Sequence, residues 1–82
     1  MIRMSLTIFR EGGFRFYFFS REEPRMHLHV QCAEGEAKFW LEPNIELAKN
    51  YRLSDQQIRS IRLMIEARVD EFRSAWTNHF SS

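Results

Sequence analysis

The sequence contains a single cysteine, Cys32, so its 82 residues form no internal disulfide bond. It has no apolar run of about 18 residues, the length that a helix needs to cross a membrane, and no signal-peptide pattern. These absences predict a cytoplasmic protein without membrane contacts. Cys32 follows an alternating apolar segment, which favours a buried structural thiol over a reactive one.

A strong charge of either sign is also missing. Twelve basic and eleven acidic residues leave a formal net charge of +1, so no bulk electrostatic field attracts the chain to nucleic acid or to a membrane. Only three glycines and two prolines are present, whereas 44% of the residues are hydrophobic and 15% are aromatic. This composition excludes a disordered chain and predicts a single domain over residues 1–82.

The first half of the chain carries the two-residue alternation that is typical of β-strands. Three segments show it clearly, and their aromatic and β-branched residues favour a pleated surface. These segments are residues 14–19, 26–30 and 36–41. A further strand is predicted at 6–9, joined to the next by a turn at Gly12 and Gly13. Residues 45–50 fit a short closing strand or one or two helical turns, and the strand is favoured.

A helix is predicted to begin after Ser54. Ser54 and Gln57 match a capping box, in which each side chain bonds to the backbone N–H of the other residue. Apolar residues then recur three or four positions apart, as in an amphipathic helix. This stripe consists of Ile58, Ile61, Ile65, Val69, Phe72, Trp76 and Phe80. One helix over about 55–80 would measure about 38 Å, so it must either break or extend beyond the sheet as a homo-oligomer contact.

These elements predict an α+β fold, in which a three- or four-stranded antiparallel sheet (about 6–50) carries one long C-terminal helix (about 55–80) packed on one face. Alternation assigns the strand residues to two faces. The face toward the helix holds Phe14, Phe16, Phe18, Leu28, Val30, Cys32, Ala37, Phe39 and Leu41. The opposite face holds Arg15, Tyr17, Phe19, His27, His29, Gln31, Glu36, Lys38 and Trp40.

The opposite face combines cations with more aromatic surface than a solvated sheet face normally carries. This combination favours a surface that binds a partner. The candidate binding residues are Arg15, Tyr17, Glu36, Lys38 and Trp40. A purely solvated outer face is the simpler alternative. Stacking and phosphate contacts would also allow the face to bind single-stranded nucleic acid, although a net charge of +1 argues against high affinity.

His27 and His29 share that face and are the candidate catalytic residues. They could act as general acid and base on RNA, with the cations of the face holding the phosphate, because an unperturbed histidine titrates close to neutral pH. Alternatively, they could ligate a metal if Glu36, or more remotely His79, completed the site. Their spacing matches no zinc-finger pattern, so neither a metal nor another cofactor is predicted.

An ordered set of short motifs resembles a known family. The motifs are Gly13-Phe14-Arg15-Phe16, Ser20, Glu23-Pro24, His27-Leu28-His29-Val30, the segment 35–43, Glu46-Leu47-Ala48, and a helix ending in Trp76 and Phe80. In this order they resemble the small bacterial family called domain of unknown function 4160 (DUF4160), over nearly the whole chain. The chain departs from the family pattern at Arg52-Leu53, where a glycine often precedes the capping serine, and at Arg25-Met26, where a second proline is common.

The resemblance implies a component of a toxin–antitoxin-like gene pair that binds a small protein from the neighbouring gene, often a second domain of unknown function (DUF2442). The family pattern includes positions that correspond to Arg15, His27, His29, Lys38 and Trp40. RNA would be the target if this chain is the toxin. The alternatives are a metal-independent ribonuclease that uses His27 and His29, and a non-catalytic protein-interaction domain. The sequence leaves open whether the chain is an enzyme.

Overall fold

The computed structural model describes residues 5–19 and 24–80. Within these ranges the chain forms five strands followed by two helices. Their bounds are β1 Ser5–Glu11, β2 Phe14–Phe19, β3 His27–Gln31, β4 Glu36–Trp40, β5 Glu46–Tyr51, α1 Asp55–Ala67 and α2 Val69–Phe80. The strands build one antiparallel sheet in chain order, with β1 and β5 at its edges. The α+β prediction is confirmed, but the described sheet has five strands and the helical segment is in two parts.

Both edge strands are irregular, which is why two-residue alternation alone predicted too few strands. The register of β1 against β2 shifts between Thr7 and Phe9, and that of β4 against β5 shifts between Lys38 and Phe39. A bulge of this kind leaves one residue unpaired and moves each later side chain to the other face. β5 nevertheless confirms the strand that was favoured at 45–50.

The turn between β1 and β2 depends on two glycines. Gly12 has a φ of 58° and Gly13 a φ of 83°. Positive φ at both central residues is typical of a type I′ hairpin, whose twist matches that of the flanking strands. The predicted glycine turn is therefore confirmed.

Ser54 caps α1 as predicted. The backbone N–H of Gln57 donates to Ser54 Oγ over 3.1 Å, and the backbone N–H of Ser54 donates to Gln57 Oε1 over 2.9 Å. Asp55 adds a carboxylate to the first turn, where the helix dipole favours a negative charge. Gln57 Nε2 also donates to Glu34 Oε1 over 3.0 Å. The start of α1 is thereby tied to the turn between β3 and β4.

Changing Ser54 to alanine is expected to lower the free energy of unfolding by about 1 kcal/mol, because the hydroxyl that accepts from Gln57 is lost. Urea unfolding followed by circular dichroism measures this loss. Ser74→Ala is the matched control, since Ser74 is exposed inside α2 and alanine is the better helix former there. Equal losses in the two variants would contradict a capping role for Ser54.

The helical segment breaks at Arg68. Its φ of −132° and ψ of 22° are not helical, and its N–H donates to the Ile65 carbonyl oxygen over 3.1 Å. Five strands span only about 19 Å at about 4.8 Å per strand, half the length of the predicted straight helix. The prediction of one helix is thus wrong, and the alternative of a break is confirmed. Neither helix in the described ranges is long and apolar enough to cross a membrane.

The two helices cover one face of the sheet with the predicted apolar stripe. Phe72 stacks on Phe16 with 5.5 Å between ring centroids, and Trp76 meets Phe18 edge to face at 5.3 Å. The buried core consists of Phe14, Phe16, Phe18, Leu28, Val30, Ala37, Phe39, Leu41, Leu53, Ile61, Ile65, Phe72 and Trp76, with Cys32 partly buried against it. Phe80 packs on Trp76 at 4.2 Å. The end of the stripe, which the sequence analysis considered as an oligomer contact, thus packs at least in part within the chain.

Arg52 lies in the link between β5 and α1 with an unfavourable backbone. Its φ of 71° is in the left-handed region, which costs energy for any residue with a side chain. Asn50 supports this link, because its Nδ2 donates to the Leu53 carbonyl oxygen over 2.9 Å and its Oδ1 accepts from the Leu53 N–H over 3.0 Å. Glycine adopts the left-handed conformation without strain, which gives a physical reason why the family pattern often has a glycine before the capping serine.

Arg52→Gly is expected to raise the free energy of unfolding by about 0.5 kcal/mol, since about 1–2 kcal/mol of strain is relieved against about 0.4–1 kcal/mol of added unfolded-state entropy. Thermal unfolding measures the gain as a higher melting temperature. Arg59→Gly is the control, because Arg59 is exposed inside α1 and should lose about 1 kcal/mol. If Arg52→Gly destabilised the fold, contacts of the Arg52 side chain would have to outweigh the strain.

Candidate binding face

We refer to the sheet face opposite the helices as the polar face. Its cross-strand pairs are Arg15 with Gln31, Tyr17 with His29, His29 with Lys38, Gln31 with Glu36, and His27 with Trp40. The structure therefore brings together, on β2, β3 and β4, the residues that alternation assigned to this face. All three strands lie inside the sheet, so the polar face is centred on the most regular part of the fold.

Arg15 is held in place by three neutral side chains. It donates from Nε to Thr7 Oγ1 over 2.6 Å and from Nη1 to Gln31 Oε1 over 2.7 Å. Its Nη2 donates to Ser5 Oγ over 2.6 Å. The guanidinium carbon lies 4.4 Å from the centroid of the Tyr17 ring. These contacts fix the guanidinium without neutralising its charge, so it remains available to an anionic group.

Trp40 is flanked by two cations. The guanidinium carbon of Arg25 lies 4.1 Å from the Trp40 ring centroid, and Lys38 Nζ lies 4.4 Å from it. Arg25 is itself positioned by Glu42, whose backbone oxygen accepts from Arg25 Nε over 3.1 Å. Trp40 is half-buried. It therefore presents an aromatic ring together with two positive charges, a combination that cation–π attraction stabilises.

The centre of the polar face is more buried than predicted. Tyr17 is only 4% exposed, because its ring stacks on His29 at 5.4 Å and meets Phe19 edge to face at 5.4 Å. Phe19 in turn contacts the His29 ring at 4.7 Å. The Tyr17 hydroxyl donates to Glu36 Oε2 over 3.4 Å. The rings of this face thus pack against one another, and Tyr17 is buried although its strand position assigned it to the exposed face of the sheet.

His27 is also placed differently from the prediction of an exposed surface. It is 0% exposed, and its Nδ1 donates to the Arg25 carbonyl oxygen over 2.7 Å. Its ring lies 5.1 Å from His29, 5.7 Å from Trp40 and 4.9 Å from Trp76 on α2. His27 is therefore packed between the polar face and the helix, because Trp76 reaches the end of the sheet. Of the two histidines, only His29 is partly exposed.

The histidines do not form the metal site that was considered with Glu36 or His79. Among residues 5–19 and 24–80, no group of three or more His, Cys, Asp or Glu side chains is close enough to hold a metal ion. Glu36 accepts from Tyr17 instead. His79 contacts the rings of Phe18 and Phe80. Within the described ranges, the two histidines therefore have neither Glu36 nor His79 as a third ligand.

Residues of the edge strands extend the polar face at positions that the sequence analysis missed. Arg10 lies opposite Arg15, and Lys49 lies opposite Lys38. Tyr51, which pairs with Glu36 of β4, is 54% exposed. The bulges in β1 and β5 decide which face these side chains reach. The pairing register of the edge strands is the only signal that could have found them.

Residues 13–77 match the family Domain of unknown function (DUF4160). No significant match was found among curated proteins or among solved structures. The matched range contains the core strands of the polar face and both helices up to Thr77, whereas Ser5, Thr7 and Arg10 around Arg15 lie before it. The match covers most of the chain and confirms the resemblance, so the chain belongs to the DUF4160 family.

Proposed function

We propose that this protein is the non-catalytic binding component of a toxin–antitoxin-like pair and that its polar face binds the small protein encoded by the neighbouring gene, a DUF2442-like domain. The observation that carries the proposal is the set of three cation–aromatic contacts on one sheet face, between Arg15 and Tyr17 and between Trp40 and the cations Arg25 and Lys38. Arginine, tyrosine and tryptophan are the residues that dominate protein–protein binding energy.

The mixed charge of the polar face favours a protein over RNA as its partner. Glu36 lies on this face among the cations, and Glu46 lies opposite Trp40 at its edge. A phosphate backbone would be repelled by both carboxylates, whereas a folded partner can present charges of either sign where they are needed. The formal net charge of +1 agrees with a protein partner. RNA binding remains the second candidate because cations and aromatic rings also suit stacked bases.

The ribonuclease alternative has less support. Its basis is the 5.1 Å between the ring centroids of His27 and His29. General acid–base catalysis requires each group to come within hydrogen-bond reach of the substrate. His27 is fully buried and packed against Trp76, so a substrate on the polar face would meet His29 alone.

Co-expression of the chain with the product of the neighbouring reading frame tests the proposal. We expect a stable complex to co-purify, and we expect the chain expressed alone not to slow growth. Failure of the two proteins to co-purify would refute the proposed partner. Growth arrest that disappears in both His27→Ala and His29→Ala would instead support the ribonuclease alternative.

A further inference from the structure

We infer that the polar face binds an acidic segment of its partner, in which two carboxylates about 16 Å apart contact the Arg10–Arg15 pair and the Lys38–Lys49 pair. The inference rests on the proposed function and specifies the chemistry of the surface that the partner presents. It concerns a feature that only the strand register reveals, namely two cross-strand pairs of like charge at opposite sides of one sheet face.

Like charges directly opposite each other destabilise a sheet. The polar face nevertheless contains two such pairs, Arg10 opposite Arg15 and Lys38 opposite Lys49. Arg10 and Lys49 are exposed, whereas Arg15 and Lys38 are half-buried. Each pair therefore combines an outer cation that water reaches with an inner cation that the sheet positions. An anionic group bound beside the outer cation would lower the electrostatic cost of this arrangement.

The described residues leave the charge of three of these cations uncompensated. Within residues 5–19 and 24–80, no carboxylate forms an ion pair with Arg10, Arg15 or Lys49. The hydrogen-bond acceptors of Arg15 are two hydroxyls and an amide oxygen, all neutral. Arg10, Arg15 and Lys49 thus keep an attraction for carboxylates that the described residues do not satisfy.

The positions of the two pairs set the spacing of the carboxylates. One pair lies on β1 and β2, and the other lies on β4 and β5. Three strand spacings of about 4.8 Å separate them across the sheet. The row of Arg15 runs through Gln31 and Glu36, and Lys38 lies two residues beyond Glu36, which adds about 7 Å along the strands. The two pairs therefore lie about 16 Å apart. An extended segment that crosses the strands covers about 14 Å of this distance in four residues, after which the side chain points to the same face again. The flexible Asp or Glu side chains reach the remainder. The partner segment is therefore expected to carry Asp or Glu at positions i and i+4.

The surface between the two pairs favours such a segment over a nucleic-acid strand. Gln31, Glu36 and the stacked rings of Tyr17 and His29 lie between the cations. A nucleic-acid strand carries a negative charge at every nucleotide and would bring a phosphate toward Glu36. A peptide with two separated carboxylates leaves this middle region neutral. Charge complementarity therefore selects the peptide.

NMR titration of the isotope-labelled chain at low salt tests the inference. The probes are a short peptide with two glutamates four residues apart in a serine and threonine background, the same composition with the glutamates adjacent, and an oligouridylate of matched length. We expect the first peptide to bind most tightly and to shift the amide signals around Arg10 and Lys49. Arg10→Gln and Lys49→Gln should each weaken this binding about two- to fivefold.

Arg59→Gln is the matched control, because Arg59 is exposed on α1 and the substitution removes the same charge. Its affinity should equal that of the unchanged protein. Three results would overturn the inference: no shifts with the first peptide, equal affinity for the adjacent-glutamate peptide, or tighter binding of oligouridylate. If Arg10→Gln and Lys49→Gln still bound the neighbouring protein as tightly as Arg59→Gln, the inference would fail while the proposed function stood.

Discussion

Replacing Trp76 with alanine is expected to lower the free energy of unfolding by about 3–5 kcal/mol, the largest effect of any substitution considered for this fold. Trp76 is 7% exposed and joins α2 to the end of the sheet. Its ring contacts Phe18 at 5.3 Å, Phe80 at 4.2 Å and His27 at 4.9 Å. Removing the indole leaves a cavity that these three rings cannot fill without moving α2.

Trp40→Ala is the matched control, because it removes the same side chain from a half-buried position on the polar face. Its loss of unfolding free energy should be smaller than that of Trp76→Ala by at least about 1–2 kcal/mol, since less apolar area returns to water. Urea unfolding of both variants measures the difference. Losses of similar size would mean that Trp40 belongs to the core and not to a binding surface.

Gly35→Ala is expected to cost about 2–3 kcal/mol of unfolding free energy, the cost of a severe overpacking clash. A Cβ atom at position 35 would collide with the backbone oxygen of Tyr51 and would approach Arg52 Cβ to 3.0 Å. Backbone atoms cannot rotate away as the end of a side chain can. The turn after β3 would therefore have to separate from the end of β5.

Gly13→Ala separates this clash from the general cost of replacing a glycine. Gly13 has a φ of 83°, but a Cβ atom there would meet nothing within 4 Å. Only the left-handed conformation would be penalised, at about 1–2 kcal/mol. Chemical unfolding of both variants should rank Gly35→Ala as the less stable protein. The reverse order would show that the turn at Gly35 adjusts easily.

The regular parts of the fold could be predicted because their signals are local. Two-residue alternation defines β2, β3 and β4, and the capping box fixes the start of α1. The break at Arg68 could not be placed, because the apolar stripe continues through it without a glycine or proline. It is the width of the sheet, a tertiary property, that makes the helix bend.

The candidate site shows the same contrast between local signals, which the sequence carries, and tertiary contacts, which it does not. Alternation correctly grouped Arg15, His29 and Lys38 on one face, since they belong to regular strands. It could not show that Trp76 would reach the end of the sheet and bury His27, because that contact joins residues far apart in the chain. It also missed Arg10, whose face depends on the bulge in β1. The polar face thus holds less accessible histidine than the sequence indicated.

The dissociation constant of the complex with the neighbouring protein tests the central claim most directly. Titration calorimetry should compare the unchanged chain, Trp40→Ala and Leu63→Ala. Leu63 is 65% exposed on α1, beyond the other face of the sheet, and is the matched apolar control. We predict that Trp40→Ala raises the dissociation constant at least about thirtyfold, or about 2 kcal/mol, and that Leu63→Ala leaves it unchanged. Unchanged affinity in Trp40→Ala together with a loss in Leu63→Ala would contradict binding through the polar face.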